Sequence, residues 1–215
     1  MKHLEAAQQL CDFGRKLMKA GLVARTWGNF SIRLDSEHFL ITPSGRSYEN
    51  LKAEEIVILN LKDLMYSGIV KPSSEKELHQ RVYLLHSNVK AIIHTHQAAA
   101  SAVASARIDL PVLDTRHQEI IGPLVPCVEY ALPATKALAL AVEKKLASKF
   151  YPALLLSNHG ALSLADSLEK AFDQAVCLDS AANEFVLHRF RLASGQAAGN
   201  QDQMIDYYVN TISQG

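Results

Sequence analysis

An apolar run that carries two imidazoles at alternate positions leaves a chain few ways to fold. Residues 90–100 read KAIIHTHQAAA. A β-strand sends every second side chain to the same face, so His94 and His96 emerge together. Burying two unpaired rings is costly. They are either core histidines satisfied one by one or a pair aimed at something both can hold. A third histidine, His159, ends another apolar run, ALLLSNHGAL, where Gly160 lets the backbone turn. Strand ends beside loops are where sites are commonly built. Three neutral imidazoles with one carboxylate suit a divalent ion, Zn²⁺ first and Co²⁺, Fe²⁺ or Mn²⁺ after it. His3, His38, His79, His86 and His188 read as surface or helix residues, and His117 is left open.

The carboxylate candidate lies in KPSSEKELH. Pro72 stops the preceding segment, and Ser74 with Glu77 three positions on has the pattern of a capping box, so Glu75 reads first as an acid in a helix's opening turn. A helix start flanked by Ser73 and Ser74 is also a ready anion site, and an acid beside it can face a metal. Two other segments have the chemistry of anion cradles: Gly28-Asn29 in TWGNFS, and Pro43-Ser44-Gly45 in ITPSGRS. Each is also ordinary turn chemistry.

Around these segments, periodicity predicts a helix over residues 4–19 stopped by Gly21, then FSIRL and HFLIT as a hairpin and EIVILNL as a strand. A helix over EKELHQRVYLLHS, the strand AIIHTH, the strand LVPCVEY, a helix over TKALALAVEKKLAS and the strand ALLLSNHGAL follow. A long helix starts at DSLEKAF, with Asp166 and Glu169 as a capping box and Gly195 past its end. One more short helix is expected at residues 203–209. Strands partly joined as hairpins and partly separated by helices give an α/β (α+β-like) class with a mixed sheet between helical layers.

The length of 215 residues favours one domain over two, spanning residues 1–215. A hydrophobic share of 48% against 20% charged supplies a sizeable core. The 22 basic and 22 acidic residues cancel to a net charge of +0, so no bulk field draws nucleic acid or an acidic membrane, and an anionic ligand needs local donors. No apolar run reaches the roughly 20 residues of a membrane span. Cys11, Cys127 and Cys177 are scattered and odd in number, which predicts free thiols and a cytoplasmic protein.

Taken in order, Gly28-Asn29-Phe30-Ser31, Thr42-Pro43-Ser44-Gly45, Pro72-Ser73-Ser74-Glu75, His94-Thr95-His96 and Asn158-His159-Gly160 resemble the class II aldolase/adducin-head superfamily. The likeness is greatest to the L-fuculose-1-phosphate aldolases and covers residues 5–195. Any one block is unspecific; five in order are specific. The resemblance implies that His94, His96 and His159 hold a zinc ion, with Glu75 as fourth ligand in the resting state and as catalytic acid and base. It implies that Gly28, Asn29, Ser44, Gly45, Ser73 and Ser74 bind the phosphate of a sugar phosphate. It also implies a nine-stranded, antiparallel-rich sheet between helical layers and a homotetramer with active sites at subunit interfaces. The reaction implied is reversible cleavage of a ketose 1-phosphate to dihydroxyacetone phosphate and a small aldehyde through a metal-stabilised enediolate. A zinc-bound carboxylate is a poor base, so Glu75 is expected to leave the metal when substrate oxygens arrive.

The chain departs from that pattern at Thr115, where the fuculose enzymes carry an assisting tyrosine from a neighbouring subunit. Thr115-Arg116-His117-Gln118-Glu119 instead resembles the matching stretch of ribulose-phosphate 4-epimerases, in which an acid near Glu119 relays protons. Read from the residues alone, His117 and Glu119 sit on an exposed loop. Those epimerases usually carry Asp where Glu75 stands, which favours the aldolase. Tyr207 and Tyr208 are candidates for a C-terminal tyrosine that contributes in the family. The alternatives are a 4-epimerase, dehydratase or decarboxylase with the same metal, and a non-enzymatic adducin-head-like interaction module.

Overall fold

The structure is a computed structural model and describes residues 2–194. The segment expected to form a last short helix, with Tyr207 and Tyr208, lies outside the described residues. The first helix, α1 (Lys2–Lys19), ends where its sequence says it should. Gly21 takes φ 71°, which a side chain would resist. The Leu22 amide then returns to the Leu17 carbonyl and the Gly21 amide to Met18, closing a Schellman motif.

The hairpin forms as β1 (Asn29–Arg33) and β2 (His38–Ile41), followed by β3 (Val57–Asn60). Helix α2 (Lys76–Leu85) leads to β4 (Ala91–Thr95). Two elements follow that periodicity did not reveal: α3 (Ala98–Ser105), nearly all alanine and serine, and β5 (Leu110–Pro111). The supposed loop around His117 is a helix, α4 (Thr115–Ile121), started by Asp114, whose carboxylate accepts from the Arg116 amide. LVPCVEY is not one strand. Pro126, which has no N–H to donate, divides it into β6 (Leu124–Val125) and β7 (Cys127–Val128), which join different sheets. Helix α5 (Lys136–Ser148) is capped by the Thr135 hydroxyl, which accepts from the Leu138 amide. ALLLSNHGAL is likewise two strands, β8 (Ala153–Leu156) and β9 (Gly160–Ala165). The left-handed residue of their turn is Asn158, at φ 55°, rather than Gly160. Helix α6 (Leu168–Ser194) completes the described chain. Its cap is Ser167, whose hydroxyl accepts from the Lys170 amide; Asp166 pairs with the Lys170 ammonium instead.

Nine strands are present among the described residues, but they do not form the single nine-stranded sheet expected. Seven run in the order β3-β2-β1-β4-β9-β8-β7, and β5 with β6 makes a separate two-stranded ribbon. Neighbours in the large sheet are antiparallel except β7 and β8. The sheet is therefore mixed and largely antiparallel, and helices cover both of its faces in one domain. On one side α2 and α5 contribute Leu78, Val82, Leu138 and Val142 to a core with Ile92, Leu162 and Leu164. On the other, α1 and the start of α6 close over Phe30, Ala91 and Ile93, while α3, α4 and the rest of α6 cover Ala153, Leu155 and Ala161.

This division fixes where the polar residues point. Along β4, Ile92 faces α2 and Ile93 faces α1. His94, two positions beyond Ile92, faces α2 by the same alternation. Along β1, Phe30 faces α1, so Asn29 and Ser31 also face α2. Asn29 stands opposite His94 in the ladder, so one helix meets all three polar strand residues.

Candidate metal centre

His94 is the anchor. It lies on the central strand with 1% of its surface exposed, and its Nδ1 is 2.9 Å from the carbonyl oxygen of Ala161 across the ladder. A carbonyl can only accept, so Nδ1 carries the proton and Nε2 presents a lone pair. His96 follows the end of β4, and its Nε2 lies 2.7 Å from His94 Nε2. His159, delivered by the β8–β9 turn, places Nε2 3.2 Å from His94 Nε2. The ring centroids are 4.6 to 5.0 Å apart. Two glycines make this approach possible. A Cβ on Gly160 would strike the Thr95 carbonyl and come within 2.8 Å of the His96 ring, and one on Gly28 would lie 2.5 Å from the His94 carbonyl oxygen.

Glu75, at the N-terminus of α2, completes the group. Its Oε2 is 3.2 Å from His94 Nε2, and its Oε1 is 3.4 Å from His159 Nε2. Its local role differs from a capping-box pattern built on Ser74. Glu75 itself occupies the cap position, the Ser73 hydroxyl accepts from the Glu75 amide, and Glu77 pairs with Arg81 one turn on. Burial opposes ionisation of the Glu75 carboxyl, but His94, His159 and the Asn29 amide outweigh it and hold the carboxyl down at about 2. Burial pushes His96 down to about 3 and His159 down to about 4, so both rings are neutral near pH 7.

Nitrogen lone pairs facing one another beside a carboxylate need a positive charge between them. One buried atom reports the same need: Glu75 Oε1 has no hydrogen-bond partner. The ligand atoms of His94, His96 and His159 all lie within 4.8 Å of one another, close enough to hold one metal ion. Three imidazoles and a carboxylate match the donor set of a borderline-soft divalent cation.

The anion-cradle segments converge on the same cavity. Pro43 bridges Pro72, the Ser44 amide donates to the Lys71 carbonyl, and the Ser73 amide donates to Thr42, so ITPSG and KPSSE are laced side by side. One cavity is lined by Gly28, Asn29, Ser44, Gly45, Ser73, Ser74 and Glu75 together with His96 and His159. His94 is buried in contact with three of its lining residues, Glu75, His96 and His159. The Ser44 and Ser73 amides are already engaged and the Ser73 oxygen accepts from the Glu75 amide, so what these two serines can offer an anion is their O–H protons.

Sequence reasoning missed several neighbours. Thr26, Pro133 and Ala134 also line the cavity, and exposed Trp27 lies beside His96 with ring centroids 6.3 Å apart. His79, expected on the surface or as an ordinary helix residue, is completely buried beneath Glu75. Its spacing held the signal, because Val82 and Tyr83, three and four positions on, share its helix face. His117 does not join the centre; it is half-buried on α4, 3.7 Å from Glu184. Thr115 and Glu119 are exposed, and neither lines the cavity.

The chain matches the family model for the class II aldolase and adducin N-terminal domain over residues 8–186. It belongs to that family. The chain is accordingly an enzyme of the aldolase lyase type. A 5-deoxy-D-ribulose 1-phosphate aldolase of Bacillus thuringiensis serovar kurstaki is 34% identical over 169 residues, covering 78% of each chain. An L-ribulose-5-phosphate 4-epimerase of Salmonella paratyphi B is 28% identical over 187 residues, covering 81% of each. Among solved structures, an L-fuculose 1-phosphate aldolase superimposes with a TM-score of 0.81 at 30% identity, covering 93% of this chain and 92% of its own.

Proposed function

We propose that the protein is a zinc-dependent aldolase that cleaves a ketose 1-phosphate reversibly to dihydroxyacetone phosphate and a small aldehyde. The observation that carries this reading is the meeting of His94, His96, His159 and Glu75 in the cavity that Ser44 and Ser73 also line. The aldolase and 4-epimerase relatives both act on pentulose phosphates by name, which supports a phosphorylated sugar as the substrate class.

In this reading His94, His96 and His159 hold the ion through Nε2, with Glu75 as its fourth partner before substrate enters. When bound, the metal supplies Lewis-acid polarisation of the substrate's carbonyl and hydroxyl oxygens. Glu75 then moves the proton. Its Oε1 accepts no protein hydrogen bond and takes the carbon-bound proton of dihydroxyacetone phosphate, while Oε2 stays on the Asn29 amide at 2.8 Å. In the reverse direction the same oxygen returns it. The Ser73 and Ser74 hydroxyls at the start of α2, with Ser44, Gly45, Gly28 and Asn29, receive the phosphate; the helix N-terminus favours its charge.

We read residues 1–215 as one such domain acting in the cytoplasm as a homotetramer. Its three cysteines are free thiols, and no helix among the described residues is long and apolar enough to cross a membrane. A 4-epimerase is the second reading: α4 leaves Glu119 exposed, where a neighbouring subunit's cavity could receive it. The test is to incubate zinc-loaded protein with phosphorylated ketoses while trapping released aldehyde. Trapped aldehyde with dihydroxyacetone phosphate supports the aldolase. Epimerised, dehydrated or decarboxylated sugar without aldehyde overturns it in favour of a relative's chemistry.

A further inference from the structure

Beneath the metal centre lies a buried chain of hydrogen bonds that the reaction described above does not use. Tyr83 OH is 2.7 Å from Ser31 Oγ, and Ser31 Oγ is 2.6 Å from His79 Nδ1. His79 Nε2 is 2.5 Å from Asn29 Oδ1, and Asn29 Nδ2 donates to Glu75 Oε2 at 2.8 Å. Tyr83, Ser31 and His79 are 0% exposed and Asn29 is 6% exposed, so the chain is shut off from bulk solvent. The donors can be assigned by elimination. The Glu75 carboxylate only accepts, so Asn29 turns its NH₂ toward it and its carbonyl toward His79. That carbonyl only accepts, so His79 carries its proton on Nε2. Nδ1 therefore accepts from Ser31, and Ser31 Oγ accepts from Tyr83.

We propose that His79 is a positioning residue that locks the Asn29 amide so that its N–H always faces Glu75. This rests on Glu75 being the proton carrier. An ionised Glu75 can enforce that amide orientation unaided. Once it has taken a proton it can donate as well as accept, and an untethered Asn29 could rotate and offer its carbonyl. The Nε2–H of His79 removes that alternative, because a rotated amide would set NH₂ against N–H. The chain resists reversal through the other tautomer, since His79 Nδ1–H would then donate to Ser31 and Ser31 to Tyr83, taking from the Tyr83 O–H the acceptor it has in Ser31. The tether keeps Oε2 fixed while Oε1 exchanges the proton.

Three substitutions separate this role from plain packing. In His79→Gln the amide nitrogen reaches the place of the imidazole Nε2 and can still donate to Asn29. In His79→Asn it reaches only the place of Nδ1, and in His79→Leu no donor remains. Each full-length variant is read twice. In metal-free protein, solvent exchange is measured at the Asn29 side-chain amide, whose resonance is identified by its loss in Asn29→Asp. In zinc-loaded protein, proton exchange is measured on dihydroxyacetone phosphate. We expect His79→Gln to keep a slowly exchanging amide and to recover most of the turnover. His79→Asn and His79→Leu should speed amide exchange at least tenfold and lower kcat by about tenfold to a hundredfold, the scale of a small misplacement of a reacting group, with KM within about threefold. An Asn29 amide unchanged in all three, or turnover falling equally in Gln, Asn and Leu, would overturn the tether. Ser31→Ala guards against loss of folding, since it frees the ring from one side only; an amide as slow as in the parent would count against the proposal. A parent protein inactive on dihydroxyacetone phosphate would contradict the aldolase reading instead, and the metal-free amide series would still decide for or against His79.

Discussion

Two polar clusters adjoin on the α2 side of the sheet, and they are built in opposite ways. In the deeper one, Tyr83, Ser31, His79 and Asn29 form a closed chain in which every linking atom has a partner. In the shallower one, imidazole lone pairs face each other beside Glu75, and Glu75 Oε1 is left without a hydrogen-bond partner. Both are buried, and buried polar groups without partners are costly. A closed cluster needs nothing more and serves as scaffold. An open one marks the place where a cation and a substrate belong.

Breaking the open cluster should have the largest effect. His94→Ala removes the ring that both other imidazoles face, and it should abolish metal binding and turnover together; full activity after chelation of the parent protein would contradict the ligand assignment. Glu75→Gln comes next. It should leave most of the metal bound yet slow proton exchange on dihydroxyacetone phosphate by about 10²- to 10⁴-fold, the usual contribution of a general base. Isotope exchange at the parent rate would remove Glu75 from that role. Ser73→Ala should raise KM for phosphorylated substrates by an amount worth about 1–3 kcal/mol, the scale of a hydrogen bond to a charged group. An equal loss with an unphosphorylated analogue would point away from the phosphate.

Trimming the closed cluster at its far end, away from Glu75, should show mainly in stability. Tyr83→Phe removes one hydroxyl and should cost about 1 kcal/mol in denaturant titration, with less loss of turnover than Glu75→Gln. A pH dependence of stability draws on both clusters at once. Burial holds His79 down to about 3, and burial with the neighbouring rings holds His96 near 3 and His159 near 4, whereas in the unfolded chain each titrates near its ordinary 6.5. As pH falls below about 6.5 the unfolded chain takes up protons that the folded one refuses, so metal-free protein should lose stability steadily from there downward. Melting temperatures of metal-free protein between pH 7.5 and 5 measure this, and His79→Gln should flatten the slope. A parent protein equally stable at both ends would contradict the neutral buried rings.

The open cluster was legible in the sequence and the closed one was not, for a physical reason. His94 and His96 stand at strand spacing in an apolar run, and His159 stands beside a glycine at another run's end, so a pattern of period two exposes them. Ser31, His79 and Tyr83 look like unremarkable members of a strand and a helix. Only the pairing of β1 with β4, and the seat of α2 above both, brings them together. The same limit explains the misread elements. Alanine-rich α3 has too little contrast between faces to show a period, and a single proline was enough to send LVPCVEY into two sheets. The turn inside ALLLSNHGAL was hidden because both arms are apolar and buried.

The most direct test is a crystal of the protein grown with zinc, with the ion located by its anomalous signal. The account predicts one ion about 2.0–2.1 Å from Nε2 of His94, His96 and His159, with a Glu75 oxygen at about 2.0–2.2 Å. An ion bound elsewhere, or three rings turned away from one another, would contradict it.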